Sequence, residues 1–230
     1  MVYLNIKTIH TTKTSKAGRK KVALLAATGQ AGRTILSELI SRGYEVTAVV
    51  RHPNKLPKSI HTVQDDLNHV DRIAEIIKGV EVVISAYGPP KEERFFTDVS
   101  YTDILATTTK RIIEAGGKAE VPRLVVVGAA GSLWFYPRVT VLKSGYWPQN
   151  LHPIAISHTK AFSADINWTY FSPPMLIEPG VRTGNFRLGV DDLIVDEQGK
   201  SWISFEDYAV ALVNELENPK HQRARFTIGY

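Results

Sequence analysis

The chain has 230 residues, 43% of them hydrophobic, which suits one domain with a sizeable core and leaves little room for two. It has no cysteine, so disulfides, thiolate nucleophiles, zinc ribbons and iron–sulfur ligation are excluded together, and redox chemistry needs a borrowed cofactor. The net charge of +5 gathers in residues 1–21, where Lys7, Lys13, Lys16, Arg19, Lys20 and Lys21 meet no acid; the remainder is near neutral and offers no clustered basic face for nucleic acid.

Residues 1–20 read as a flexible basic extension. They lack the continuous apolar segment of a secretory signal, and Thr8 to Lys16 is short and poor in arginine for a transit peptide. Nowhere does the chain run to the roughly 18 apolar residues of a membrane span. The expectation is a cytoplasmic protein, a monomer or homodimer, with neither nucleic acid nor membrane as partner.

From Lys21 the pattern changes. Val22-Ala23-Leu24-Leu25-Ala26 is the short apolar run of a strand buried on both faces. After the turn Ala27-Thr28-Gly29-Gln30, Ile35, Leu36, Leu39 and Ile40 recur at helical spacing, with Gly43 as a stop. Val46 to Val50 and Ile60 to Gln64 predict strands, and Val70, Ile73 and Ile77 before Gly79 predict a helix. Glu81 to Ala86 reads as strand, Thr102 to Ala115 as helix closed by Gly116-Gly117, and Arg123 to Val127 as a fifth strand. Residues 131–160 lose periodicity and carry Trp134, Phe135, Tyr136, Pro137, Trp147, Pro148, His152 and Pro153, either a pocket wall or a loop packing its aromatics on the core. Asn167 to Ser172 is a sixth strand ending in Pro173-Pro174. A turn-rich stretch from Met175 to Lys200 leads to a helix capped at Ser204 and running through Leu216, and Arg225 to Gly229 is a last strand.

Alternating strands and helices predict an α/β Rossmann-type fold: a doubly wound parallel sheet with helices on both faces and a ligand crevice at the carboxyl ends of the strands. Residues 21–230 form one such domain, with 131–160 and 173–203 making a small substrate side.

The informative motif is Ala26-Ala27-Thr28-Gly29-Gln30-Ala31-Gly32, between the first strand and the first helix. A pyrophosphate needs backbone N–H groups, a helix dipole behind it and no side chain in the way, which Gly29 and Gly32 provide. Ala26 occupies the first glycine position of the usual pattern, so its methyl tightens or shifts the turn. After the second strand stand Arg51 and Lys55, with no acid between Val46 and Leu56, so a 2′-phosphate is favoured over a bare ribose hydroxyl. The predicted cofactor is NADP(H), with NAD(H) the other candidate. Asp66, followed by Leu67, is placed to reach the adenine, and Asp65 competes for that contact; Ala86, Tyr87 and Gly88 after the fourth strand would lie along the cofactor.

Lys20-Lys21-Val22 through Pro57, together with Val127-Gly128-Ala129-Ala130-Gly131-Ser132-Leu133, Asp165 to Pro173, Arg182-Thr183-Gly184 and Ile203 to Ala209, resembles the atypical short-chain dehydrogenase/reductase superfamily. The likeness is to its NAD(P)H-binding, NmrA-like group, which includes NADH-flavin reductases and the flavin reductase biliverdin reductase B. The resemblance implies a Rossmann domain, NADPH, and hydride transfer to a small conjugated acceptor such as a flavin or quinone. It also assigns Gly128, Ala129, Ala130, Pro173 and Pro174 to the cofactor.

Superfamily members that protonate a carbonyl use a Tyr and a Lys one helical turn later, after the fifth strand. That pair is missing: Tyr3 with Lys7 precedes the domain, and Tyr87 with Lys91 spans Pro89-Pro90. Candidate substrate contacts are Ser132, His158 and Lys160. Ser132 is either catalytic or a turn cap, with Ala130 the true equivalent of the active-site serine. His158 and Lys160 either touch substrate or are plain surface residues. Met175 replaces a histidine expected by the biliverdin reductase resemblance, which disfavours bilin reduction. A flavin or quinone needs no dedicated acid if it is only aligned over the nicotinamide. The rival reading is a non-enzymatic NADP(H) sensor of the NmrA-like type, favoured if Trp134 or Tyr136 plugs the pocket. A sugar-nucleotide epimerase or dehydratase is disfavoured by the absent Tyr/Lys pair.

Overall fold

A computed structural model describes residues 19–88, 100–146 and 166–230. Strand β1 (Lys21–Leu25) is buried from Val22 onward, and its alternate side chains serve two cores. Val22 and Leu24 face helix α1 (Gln30–Ser41), whereas Ala23 and Leu25 face helix α2 (Val70–Ile77). β2 (Glu45–Val50), β3 (Thr62–Gln64) and β4 (Val82–Ser85) follow, then helix α3 (Ser100–Lys118) and β5 (Leu124–Val127). Beyond β5 come the hairpin of β6 (Trp134–Tyr136) and β7 (Val139–Thr140), then β8 (Trp168–Ser172), β9 (Leu176–Glu178), β10 (Arg187–Gly189) and β11 (Trp202–Ser204). Helix α4 (Phe205–Glu217) and β12 (Ala224–Gly229) complete the described chain.

The main sheet runs β10-β12-β8-β5-β4-β1-β2-β3, parallel throughout except for the antiparallel edge strand β10. From β1 the chain builds outward to β2 and β3, then crosses back to β4 on the other side of β1. That reversal between β1 and β4 is the topological switch point, and it opens a crevice at the carboxyl ends of the strands. One core, beneath α1 and α4, is centred on a row of stacked rings. Tyr208, Phe171 and Phe226 have centroids 4.1 and 4.0 Å apart, and His221 continues the stack at 4.3 Å from Phe226.

Several elements depart from the sequence pattern. The Gly116-Gly117 pair does not end α3; a Cβ at Gly116 would sit 2.8 Å from Ile166 Cδ1, so this glycine serves close packing. The stop falls at Glu120, in the left-handed region at φ 51°, where Val121 N–H donates to Gly116 O. The third strand begins at Thr62 rather than Ile60. The turn-rich stretch from Met175 contains β9 and β10, too short and too exposed for an alternating pattern to emerge. No helix among the described residues is long and apolar enough to cross a membrane. The expected N-terminal extension lies outside the described residues up to position 18.

The similarity-bearing segments Arg182-Thr183-Gly184 and Ser204 to Asp207 hold each other. Asp207, fully buried, accepts from the backbone N–H of Thr183 and of Gly184, both at 2.8 Å, and from Tyr230 Oη at 2.7 Å. Ser204 caps α4 by accepting from Asp207 N–H. Arg182 forks onto Glu38 of α1 at 2.8 and 2.9 Å, and Arg42 also donates to Glu38. The Arg182 hydrogen bond, against the opposing effect of burial and with help from Arg42, holds the Glu38 carboxyl below its ordinary value of 4.5. A lowered carboxylate pKa contributes stability above the ordinary value and loses it as pH falls through the folded one. Glu38→Gln is therefore expected to cost about 1–2 kcal/mol at pH 7, with the deficit shrinking below about pH 4. Urea midpoints of both proteins across pH 3–7 check this.

Candidate functional site

The first strand-to-helix turn is shaped by a close approach. A Cβ on Gly32 would stand 2.4 Å from Ala26 O and 2.9 Å from Ala27 Cα, so only glycine lets α1 sit this close to the end of β1. Gly29 is different: exposed, at φ −65°, with space for a Cβ 3.4 Å from Ala26 O. It is the N-cap of α1, no side chain caps that end, and no acid occupies the first helical turn. Such an end presents N–H groups and the positive pole of the helix to an anion. Ala26 is in the left-handed region at φ 60°, so the turn keeps a glycine conformation with an alanine in it.

The remaining predicted cofactor residues fall on the same rim. Ala86 N–H donates to Leu25 O at 3.1 Å, bringing Ala86-Tyr87-Gly88 beside the glycine turn. Tyr87 is half-buried and packs partly on the α2 side, and Gly88 is exposed. Gly128, after β5, lies over the ring of Tyr170; a Cβ there would meet the ring at 2.4 Å. Tyr170 Oη accepts from Ala129 N–H at 2.9 Å, supporting the turn from below. Burial pushes the Tyr170 phenol well above its ordinary pKa, so it stays protonated and does not replace the missing acid–base tyrosine. Ala130 packs its side chain with Leu133 and Val141, leaving only its backbone to the rim. Pro174 is buried and Pro173 half-buried at the end of β8. Ala27 is buried, while Thr28, Gln30 and Ala31 are half-buried around the turn.

Arg51 and Lys55 are exposed at the end of β2, and neither side chain has a hydrogen-bond or ion-pair partner among the described residues. Asp66 is exposed and engaged by Asn68, whose backbone and side-chain N–H groups hold its carboxyl below the ordinary range. Asp65 instead accepts from Leu67 N–H at 2.7 Å, shaping the turn in which Leu67 adopts φ 63°. Asp65 is thus committed to the backbone, leaving Asp66 nearer the solvent side. Sequence reasoning missed Arg33. Its guanidinium donates to Thr28 O at 3.0 Å and to Lys55 O at 3.4 Å, bracing the glycine turn against the loop after β2. A basic residue directly after Gly32 was its only signal.

On the acceptor side, Ser132 is half-buried and bonded through Oγ and its carbonyl to Arg225, which also pairs with Asp191. Neither partner was visible from local sequence. His158 and Lys160 lie outside the described residues, as do Trp147, Pro148, His152 and Pro153. Phe135 packs inward against Ala130, Leu133 and Val141, while Trp134 and Tyr136 are 39% and 59% exposed. Among the described residues no group of acids and histidines is arranged to hold a metal ion.

A parallel sheet with a glycine turn at its switch point, an uncapped helix end behind that turn and exposed cations after β2 defines a Rossmann-type dinucleotide-binding protein. Residues 26–219 match the NAD(P)H-binding family, and the chain belongs to it. The "Uncharacterized protein YwnB" of Bacillus subtilis (strain 168) is 33% identical over 218 residues, 90% of this chain and 97% of that one. The solved structure of a "putative epimerase" from Bacteroides thetaiotaomicron is 40% identical, with a TM-score of 0.82 over 93% of this chain and 98% of that one. SP1627, a "putative NADH-flavin reductase" from Streptococcus pneumoniae TIGR4, is 30% identical, with a TM-score of 0.77 over 91% and 99%.

The two glycines of the turn are expected to separate on substitution. Gly29→Val should fold normally yet weaken NADPH and NADH alike by about 100-fold or more, because only the anion's approach is blocked. Gly32→Ala should lose about 3 kcal/mol of stability, since its Cβ meets backbone. Ala26→Gly should gain about 0.5–1 kcal/mol by relieving the left-handed alanine. Thermal melts and fluorescence titration of the reduced nicotinamide check all three.

Proposed function

We propose that this protein is an NADPH-dependent reductase whose acceptor is a flavin, a quinone or a similar small conjugated molecule. The carrying observation is the pairing of an unobstructed glycine turn with Arg51 and Lys55, which stand exposed after β2 with no side-chain partner among the described residues. Two cations with no acid between Val46 and Leu56 favour a 2′-phosphate, where a carboxylate would repel it. In this reading Gly29, Gln30, Ala31 and Gly32 cradle the pyrophosphate, Asp66 and Leu67 border the adenine, and Ala86 to Gly88 with Gly128 and Ala129 flank the nicotinamide half. The bound dinucleotide supplies the hydride.

The acceptor side supports a conjugated substrate by what its residues do. The Tyr/Lys pair that protonates a simple carbonyl is absent from the sequence after β5, and the buried Tyr170 is held protonated. A ring system that delocalises the incoming electron pair has less need of a dedicated acid, and alignment carries more of the reaction. Trp134 and Tyr136 are exposed on β6 rather than packed into the core, which supports an open acceptor side over a plugged one. The 30% identity to the pneumococcal protein named for flavin reduction agrees with this chemistry. The same missing pair weighs against the epimerase named for the Bacteroides relative.

Arg51→Glu is expected to raise the NADPH dissociation constant about 100-fold while changing that of NADH by less than about threefold. Equal weakening of both would remove the 2′-phosphate assignment. NADPH oxidation followed by absorbance with FMN, FAD and menadione offered separately tests the reaction. Turnover that disappears in Gly29→Val supports the reductase, and tight NADPH binding with no turnover redirects the reading to a cofactor-sensing protein.

A further inference from the structure

We infer that Arg225 and Asp191 are positioning residues that make Ser132 the hydrogen-bond donor to a carbonyl oxygen of the acceptor. The inference rests on the reductase reading and deepens it. The three positions directly after β5, Gly128, Ala129 and Ala130, carry no hydroxyl, so Ser132 offers the first polar side chain on the loop that β5 delivers to the crevice. Its hydroxyl is not a free rotor. Arg225 Nη1 donates to Ser132 Oγ at 2.8 Å and to the Ser132 carbonyl at 2.9 Å.

A serine hydroxyl has one proton to give and two lone pairs to receive with. With a lone pair engaged by a guanidinium, the Oγ proton points away from Arg225, and the cation strengthens it as a donor. Holding the loop would need only the carbonyl bond; the second bond, to Oγ, fixes the hydroxyl's direction as well. The far edge of the guanidinium is fixed too, since Asp191 accepts from Nε at 3.0 Å and also contacts Nη2.

The node is built from three distant parts of the chain. Arg225 lies on β12, in register with Tyr170 on β8 and so on the same face of the sheet. The backbone carbonyl of Asp191 accepts from Trp134 N–H at 2.8 Å, tying residues 191–193 to the loop that carries Ser132. Ser132 is half-buried, whereas Arg225 is mostly covered, with a side chain 20% exposed. An acceptor whose carbonyl is conjugated to its ring gathers negative charge on that oxygen as it is reduced, and a fixed donor aimed there stabilises the charge without reorganising. Ser132 keeps its proton throughout.

The test compares full-length wild type with Ser132→Ala, Arg225→Lys, Arg225→Met and the Ser132→Ala/Arg225→Met double variant. Three quantities are measured: NADPH affinity, affinity of the NADP+-saturated protein for menadione and for FMN, and kcat and KM with each acceptor. NADPH affinity is expected to stay within about twofold in every variant, because the node does not touch the glycine turn. Ser132→Ala is expected to lower kcat by about 100-fold and weaken acceptor binding by about 5- to 10-fold. Arg225→Met should give similar losses, the double variant no more than either single one, and Arg225→Lys should recover part of the rate by donating to one of the two oxygens. Unchanged kcat and acceptor binding in Ser132→Ala overturns the inference, as do Arg225→Met losses that recur in full on the Ser132→Ala background. If Arg225→Met loses NADPH binding through misfolding, Ser132→Ala and Arg225→Lys decide the matter. A wild type that binds menadione or FMN but passes no hydride overturns only the reductase reading, and the binding comparison still decides the role of Ser132; a wild type that binds neither overturns both.

Discussion

The approach of α1 to the end of β1 is the constraint on which the crevice depends. Because position 32 carries no side chain, Ala26 O and Ala27 Cα come within the distance a Cβ would occupy, and the helix axis is driven almost onto the strand. That places the uncapped helix end at the switch point, where the chain's order of strands reverses between the parallel neighbours β1 and β4. The same closeness forces Ala26 into a left-handed turn, a local cost carried by the surrounding packing. Arg33, directly after Gly32, then spans from the turn to the loop after β2, so both rims of the crevice are braced by a single short stretch of helix.

At the other end of the molecule the constraint is electrostatic. Arg123 and Glu215 are both buried, and Glu215 also accepts from the backbone N–H groups of Lys220 and His221 and pairs with the His221 ring. Burial opposes the charge on Glu215, and the His221, Arg123 and Lys220 hydrogen bonds more than offset it, leaving the carboxyl below its ordinary range. The pair ties the start of β5 to the last turn of α4, and Glu215 in turn holds the loop before β12. The aromatic stack from Tyr208 to His221 runs between these anchors, with Tyr208 Oη donating to Phe171 O at 2.6 Å. The two strands that flank β8 are thereby held at the distance Arg225 needs to reach Ser132.

What was legible in the sequence follows from the range of the interactions involved. Strands buried on both faces write themselves as apolar runs, so β1, β2, β4, β5 and β8 could be read to within a residue or two. The phosphate turn was legible because its glycines, its strand and its helix are contiguous. Helix α3 was read as stopping too early because a glycine pair usually signals an end, whereas Gly116 answers to Ile166, fifty positions away. β9 and β10 escaped because three-residue strands at the edge of a structure have no periodicity to display. Asp207 was read as part of a helix start; that it also binds the backbone of Thr183 and Gly184 is a contact no local pattern encodes.

The same distinction separates the two halves of the site. The predicted cofactor contacts are mainly backbone at the ends of adjacent strands, and backbone geometry is dictated by neighbours in sequence. In the proposed reading the acceptor would be met by a loop held by Arg225, Asp191 and Trp134, brought together across more than ninety residues. Relatives that keep the glycine turn can therefore keep the cofactor while changing the chemistry at the acceptor, because substitutions at the node do not disturb β1 or α1. Structures similar to this chain carry names that span an epimerase and a flavin reductase. If the reductase reading holds, the polar node rather than the glycine motif is where the choice of acceptor would be made.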